Sequence, residues 1–470
     1  MSAAEASRKP SLTEGPIAKT LFLFSLPMLF GNVIQSLNGT INSIWVGKFL
    51  GEAALTAASN GNIIMFFLIS AIFGVTMAAT IMIGQKIGAG DVAETKRIVG
   101  TSAVFFLVLA LAVGIIGFFG SPWILRVLNT PAESVDMAIT YTRIIFAGMP
   151  FLYGYNYIMT VMRGAGDSKT PFYFLLISVV LDVLLNPLLI FGWGPIPAMG
   201  IGGSAAATLI AQGVSFVLIL IYLYRVKYFL RITSSELHLL RFDWEIIWAL
   251  IRKGVPMGLQ MIAVSSSAIA LMNLINGYGT VAAAAYTAAN NLSSYVQMPA
   301  MALGAAVSSF AAQNIGAGRW DRVRKITWIG IVYNFVLTGG LVVLIYILNR
   351  EALLMFLPSS GGALELGMRI NLITLWSFVI FGITNVITGV VRSTGSVVVP
   401  LLITIISLWG IRIPLAYAFV DEYGLDAVWW SFPVGFAISA VAVIFYYAFG
   451  KWKQASMDGF HGVKPVEDEG

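Results

Sequence analysis

The sequence predicts an all-α polytopic membrane protein with twelve transmembrane helices in two pseudo-symmetric halves of six. Of its 470 residues, 58% are hydrophobic and 11% are charged, whereas soluble domains carry about 25% charged residues. The mean hydropathy is +0.86. The apolar segments are continuous and not alternating, which indicates helices instead of the strands of a membrane barrel.

Twelve apolar segments are long enough to cross a bilayer, since about 20 helical residues span its hydrocarbon core. Their approximate limits are 17–46, 53–83, 98–120, 137–161, 170–192, 199–224, 246–275, 281–311, 326–348, 366–391, 396–420 and 425–450. We expect five divisions: a tail at 1–15, an amino-terminal lobe at 16–225, a linker at 226–245, a carboxy-terminal lobe at 246–450 and a tail at 451–470.

The basic residues predict the orientation in the membrane. If both termini are cytoplasmic, 22 of the 28 Lys and Arg residues fall on the inner side. This bias predicts cytoplasmic termini and a cytoplasmic linker in a plasma-membrane protein. The net charge of +6 is spread between apolar segments, so we expect no nucleic-acid partner.

Several kinds of chemistry are excluded or disfavoured by composition. The chain has no Cys and two His residues, His238 and His461, both in polar stretches. Thiolate metal sites are therefore excluded, and a His-based metal site is not expected. No GxxxxGK[ST] nucleotide motif occurs. We expect no cofactor and no enzyme activity, with energy from an ion gradient or from the substrate's own gradient.

The two halves of the chain repeat each other. GQKIGAG at 84–90, after the second segment, is echoed by AQNIGAG at 312–318, after the eighth. The fourth and tenth segments end alike, in MRGAG at 162–166 and VRSTG at 391–395, and Pro27 matches Pro256. Because six is an even number of spans, this is a parallel repeat about an axis along the membrane normal.

Together these motifs resemble the multidrug and toxic compound extrusion (MATE) transporters. The resemblance covers about residues 15 to 450 and includes VGKFLG at 46–51, MRGAGDSKTP at 162–171, LNPLLIFG at 185–192 and MGIGGSAAATLIAQ at 199–212. It rests on the order and duplication of the motifs. It implies two six-helix lobes around a central cavity, alternating access, and export of organic cations in exchange for H⁺ or Na⁺.

One acid, Asp182, lies well inside an apolar segment. An intramembrane charge costs at least ~2.5–3.5 kcal/mol on insertion scales and is functional by default; the alternative is a protonated Asp that joins two helices by a hydrogen bond. Asn186 and Ser178 share its helix face, and Pro187 frees the carbonyl of residue 183. This oxygen-rich patch suits a Na⁺ at Asp182 or a proton-exchanging carboxyl. Asn186 is either a ligand or a cap on the proline kink.

The resemblance adds two positions to this patch. Relatives often carry an acid in the first span, where this chain has Asn42, and their Asn-x-x-x-Asp-Pro order is reversed here. Thr208 matches a hydroxyl position that lines the amino-terminal lobe cavity in the family, although a membrane Thr often bonds its own backbone. The expected cation-coupling residues are Asp182, Asn186, Asn42, Ser178 and Thr208.

Polar, aromatic and thioether side chains predict a substrate cavity. Gln35 and Asn38 share a helix face with Asn42. The fourth segment carries Tyr and Met side chains, whose rings and thioethers suit flat cations. The expected cavity residues are Gln35, Asn38, Tyr153, Asn156 and Met159. For any single ring, a place in the interface belt or facing lipid is favoured over the cavity. Arg412, near the middle of the eleventh segment, either marks a carboxy-terminal cavity or snorkels.

These observations favour a monomeric, cation-coupled antiporter in the lipid bilayer that exports small organic cations. A flippase for a lipid-linked oligosaccharide or another amphiphile is the alternative, although anionic headgroups need more cavity Lys or Arg than this chain offers. A receptor or membrane-bound enzyme is the least favoured class, because paired catalytic acids and candidate catalytic His residues are absent from the sequence.

Overall fold

The computed structural model describes residues 12–128, 130–195, 197–359 and 362–457, and the described chain is built from helices. The helices of the first half are α1 (Ile17–Leu50), α2 (Glu52–Gly88), α3 (Val92–Val127), α4 (Val135–Ala147), α5 (Met149–Gly164), α6 (Lys169–Phe191) and α7 (Ile201–Arg225). A short 3₁₀ helix, Ser234–Leu239, lies in the linker.

The second half repeats this order with more interruptions. Its helices are α8 (Trp244–Asn276), α9 (Thr280–Gly316), α10 (Trp320–Ile347), α11 (Asn349–Leu354), α12 (Gly362–Thr374), α13 (Ser377–Arg392), α14 (Val398–Ile405), α15 (Ile413–Tyr423) and α16 (Leu425–Phe449). A π-helical turn at Ile406–Arg412 joins α14 to α15, and a 3₁₀ turn at Lys451–Gln454 follows α16.

The helices agree with the predicted membrane-spanning class. Among the described residues nine helical stretches are long and apolar enough to cross a membrane, or up to eleven if two bent pairs each count as one span. The remaining predicted span, 281–311, lies within the 37-residue α9, whose many Ala, Ser and Asn residues lower its hydropathy. The prediction of an all-α polytopic membrane protein is confirmed.

Two predicted spans, the fourth and the tenth, are broken in the structure. The axes of α4 and α5 differ by 52°, and those of α12 and α13 by 43°. The first break follows from sequence, because Pro150 has no backbone N–H to continue the helix of the preceding turn. No proline stands at the second break.

Two compact units make up the described chain. The first contains Phe30–Ile72 and Gly90–Leu250, and the second contains Leu12–Leu29, Phe73–Ala89 and the residues from Ile251 onward. Helices α1, α2 and α8 therefore contribute residues to both units. The second unit has a core of large apolar side chains, among them Leu21, Phe24, Val307, Phe310 and Val390. The first unit contains the candidate site.

Candidate functional site

The candidate site is built around a buried carboxylate in α6. Asp182 lies in the middle of the helix and is 2% exposed, and Asn186, one turn later on the same face, is 0% exposed. Ser178, one turn earlier, is also buried. The spacing of four residues places all three side chains along one stripe of α6.

Three helices supply hydrogen-bond donors to this carboxylate. Asn38 and Asn42 of α1 donate from Nδ2 to Asp182 Oδ2, over 2.7 and 2.9 Å. Asn186 Nδ2 and Thr208 Oγ1 of α7 donate to Oδ1, over 3.1 and 3.0 Å. All four donors are neutral. A carboxylate that accepts four hydrogen bonds is well solvated as an anion, even where water is excluded.

Hydrogen bonds alone compensate this charge in the described part of the chain, since none of the ion pairs found there includes Asp182. A buried charge is usually paired with an opposite charge or a metal ion. One bound cation would therefore neutralise the negative charge of Asp182, which has no counter-charge among the described residues.

The amide oxygens near the carboxylate are only partly used. Asn186 Nδ2 also donates to Asn42 Oδ1 over 3.0 Å, so three of the amides and the carboxylate form one network. The Oδ1 atoms of Asn38 and Asn186 are buried and lack a hydrogen-bond partner among the described residues. Each unsatisfied buried acceptor costs about 1–3 kcal/mol. These two oxygens are free to accept a proton donor or to contact a cation.

Close packing of α6 against α7 brings Thr208 within reach of Asp182. A Cβ at Gly203 would overlap the backbone carbonyl of Leu189, so only glycine allows the helices to approach this closely at that point. Thr208 lies five residues further along α7 and is partly buried. Any side chain at Gly203 would move the hydroxyl away from the carboxylate.

Two adjoining cavities flank this network in the first unit. The smaller, of about 50 Å³, is lined by residues that include Asp182, Ser178 and Asn38. The larger, of about 140 Å³, is lined by residues that include Asn42 and Tyr141. Thr208 and Gln212 line both. A cavity of about 10–15 Å³ already holds one water, so both can hold a small cation with water molecules.

The structure brings most of the predicted residues to these cavities. The smaller cavity is also lined by Gln35 and Asn156, and the Asn156 amide donates to the Leu152 carbonyl over 2.8 Å. Tyr153 and Met159 lie elsewhere: both are buried, at 3% and 5% exposure, and neither lines the two cavities.

Ser43, Tyr141 and Gln212 are among the lining residues that sequence reasoning missed. Gln212 carries a signal in the sequence, since it follows Thr208 by one helical turn. Tyr141 has no such signal, because its approach to the site depends on how α4 packs.

Arg412 is buried in the second unit, at 6% exposure. Its guanidinium lies over the Phe432 ring, 3.5 Å from the centroid, and 5.9 Å from the Phe436 centroid. A snorkelling side chain would reach solvent, so this burial argues against snorkelling. Cation–π contact takes the place of an ion pair for this residue.

Comparisons with known proteins agree with the fold and with the repeat. The MatE family model matches residues 27–188 and again 256–418. The chain is 38% identical over 456 residues to the probable multidrug resistance protein YoeA of Bacillus subtilis (strain 168), covering 96% of this chain and 98% of the relative. It is 33% identical over 442 residues to YpnP, a probable multidrug resistance protein of the same organism, covering 94% and 97%.

Solved structures show the same fold at lower identity. The Vibrio cholerae MATE transporter VcmN in its bent form superposes with a TM-score of 0.84 at 22% identity, covering 92% of this chain and 96% of that one. A transporter described as the outward-facing conformation of a multidrug resistance MATE family member gives 0.85 at 22%, covering 94% and 97%. With its duplicated family match and near full-length relatives, this chain belongs to the MatE family of multidrug efflux transporters, as the sequence resemblance predicted.

Proposed function

We propose that the protein is a secondary active antiporter that exports lipophilic or cationic small molecules in exchange for H⁺ or Na⁺, with Asp182 as the coupling residue. One observation carries the proposal: a buried carboxylate is held by four neutral donors without a counter-cation among the described residues. Such a site changes its interactions when a single positive charge enters it.

Binding of one cation would rearrange the contacts between α1, α6 and α7. A protonated carboxyl donates one hydrogen bond and loses acceptor capacity, so one of the four donors is left without its partner. The side-chain amides of Asn38 and Asn186 can then rotate, so that their Oδ1 atoms, which have no partner among the described residues, accept a hydrogen bond from the protonated carboxyl. The charge on Asp182 thus sets how strongly the three helices hold together, as a two-state switch requires.

Sodium would use the same atoms differently. Hard cations prefer oxygen ligands, and the carboxylate lies beside the buried Oδ1 atoms of Asn38 and Asn186 and the Thr208 hydroxyl. The site therefore suits either ion, and one charge per cycle follows from its single acid. Relatives with an acid at the position of Asn42 would have two.

The proposed substrates are small organic cations, in line with the names of the relatives, which describe multidrug resistance proteins. Tyr141 and Asn62 line the larger cavity beside the acid, where an aromatic face and an amide suit a flat cation. A flippase for an oligosaccharide lipid is less favoured, because the negative charge of Asp182 repels an anionic headgroup.

The proposed orientation places both termini and the linker at 226–245 in the cytoplasm, with lobes at 16–225 and 246–450 in a monomeric transporter. Single Cys residues can report this, since the chain has none of its own. We expect a Cys at Lys227 to resist a membrane-impermeant label in intact cells, and one at Asp421 to react. Labelling at Lys227 from outside would contradict the orientation.

Efflux of ethidium from vesicles, driven by an imposed pH or Na⁺ gradient, tests the transport proposal. We expect one gradient to drive efflux and the other to have no effect. As the control, an ionophore that collapses the driving gradient should stop efflux. Equal efflux without any gradient, in sealed vesicles that contain the protein, would contradict coupled antiport.

A further inference from the structure

A third cavity, larger than the two at Asp182, lies in the first unit. It has a volume of about 480 Å³ and is enclosed by α3, α5, α7 and the linker. None of its lining residues belongs to the two cavities at Asp182. Its walls are mostly apolar, with Phe106, Leu107, Phe151, Phe216 and Leu220 among them.

The dimensions of this cavity match one leaflet of a bilayer. It is lined along α5 from Pro150 to Met162, which at 1.5 Å per residue is roughly 18 Å. Half of the hydrocarbon core of a membrane is about 15 Å thick. Leu107 and Phe151 are 51% and 46% exposed, so the cavity is open at the surface of membrane-spanning helices. An acyl chain can enter it from the side.

The end of the cavity at the linker carries polar side chains and one guanidinium. Tyr228 is 4% exposed, and its hydroxyl has no hydrogen-bond partner among the described residues. Arg231 lines the same end and forms no ion pair in the described chain; its Nη1 donates to the Tyr224 carbonyl over 3.3 Å. Tyr224 in turn donates from its hydroxyl to the Ile232 carbonyl over 2.7 Å, which holds the linker in place.

The protonation of Tyr228 keeps its hydroxyl available as a donor. Burial, with the nearby negative charge of Asp167, raises the pKa of Tyr228 well above its ordinary value. Asp167 itself is engaged elsewhere, since its Oδ2 accepts from the Thr170 hydroxyl over 2.7 Å. One buried hydroxyl donor and one guanidinium with spare N–H groups are the groups that bind a phosphate ester.

We propose that this cavity, formed by α3, α5, α7 and the linker, binds an anionic phospholipid. One acyl chain occupies the apolar part, and the phosphate accepts hydrogen bonds from Arg231 and Tyr228. The Arg231 guanidinium, which forms no ion pair in the described chain, favours an anionic headgroup over a zwitterionic one. The bound lipid bridges the linker and the transmembrane helices of the first unit.

Lipid retention by the purified full-length protein tests this proposal. Native mass spectrometry would compare phosphatidylglycerol with phosphatidylcholine of the same acyl chains. Three variants are needed: Arg231→Gln removes the charge, Ala103→Phe fills the apolar part, and Arg241→Gln, an exposed linker residue outside the cavity, is the matched control.

We expect the parent and Arg241→Gln to retain phosphatidylglycerol in preference to phosphatidylcholine. Arg231→Gln should weaken phosphatidylglycerol retention about fivefold, the loss expected for one basic side chain, and leave phosphatidylcholine unchanged. Ala103→Phe should reduce retention of both. Equal retention of the two lipids by the parent would overturn the proposal, as would an unaltered preference in Arg231→Gln, a half-buried position whose substitution leaves the core intact.

Discussion

Asn42→Asp places a second carboxyl group against Asp182. Asn42 Nδ2 now donates to Asp182 Oδ2 over 2.9 Å; in the variant that donor is replaced by an acceptor of like charge. Two unit charges about 4 Å apart repel by about 4 kcal/mol at an effective dielectric constant of 20. Because 1.36 kcal/mol is a tenfold change in an equilibrium constant, this repulsion should favour binding of a cation to the pair roughly a thousandfold.

The assay is the pH dependence of ethidium efflux in proteoliposomes, with the midpoint as the measured quantity. Asn60→Asp is the matched control, since it makes the same change on α2, where the Asn60 amide donates to Thr130 Oγ1 over 3.1 Å. We expect a large upward shift of the midpoint for Asn42→Asp and none for Asn60→Asp. An unchanged midpoint in Asn42→Asp would refute the coupling of α1 to the acid of α6.

Three further predictions concern the surroundings of the site and the linker. Thr208→Val removes one donor to the carboxylate, a loss of about 1.5–3 kcal/mol, and should shift the midpoint of efflux to higher pH. Thr208→Ser should not, and equal behaviour of the two would contradict the hydrogen bond. Gly203→Ala should destabilise the protein by about 1–3 kcal/mol and slow transport, whereas Gly213→Ala, whose Cβ would lie 3.7 Å from the Phe151 ring, should have little effect; equal thermal midpoints would count against close α6–α7 packing. The ion pair of Glu236 with Lys96, over 2.7 Å, together with hydrogen bonds from Thr233, lowers the pKa of Glu236 from 4.5 to about 2. Its stabilisation of the linker is therefore complete above about pH 4.5 and is lost as the pH falls towards about 2. Because both side chains remain partly accessible to water, this stabilisation amounts to at most ~1 kcal/mol. Hydrogen exchange of Ser234–Leu239 should show this, and the same pH dependence in Lys96→Gln would contradict it.

The helical class and most of the polar stripe could be predicted from sequence because both depend on local spacing. Hydropathy sets the helix positions, and intervals of three and four residues place Asn38 with Asn42, and Asp182 with Asn186, on one face of their helices. The break between α4 and α5 could also be predicted, because Pro150 disfavours the helical conformation of the residue that precedes it.

The remaining features depend on packing between distant segments. Whether Thr208 reaches Asp182 depends on how closely α6 and α7 approach at Gly203, and this distance is a property of the folded chain. Tyr141 lines the larger cavity because of how α4 packs. The contact of Arg412 with Phe432 likewise depends on where α16 packs. The sequence around Arg412 does not specify that position.

The central claim, that Asp182 couples an ion gradient to export, is tested most directly by Asp182→Asn. Removing an intramembrane charge should not impair folding or insertion, so expression and ethidium binding in detergent serve as internal checks. We expect binding to persist while gradient-driven efflux falls to the level of protein-free vesicles. Asp421→Asn, a change at an exposed acid far along the chain, should transport like the parent. Full gradient-driven efflux by well-folded Asp182→Asn would show that the buried acid is structural and would contradict the account.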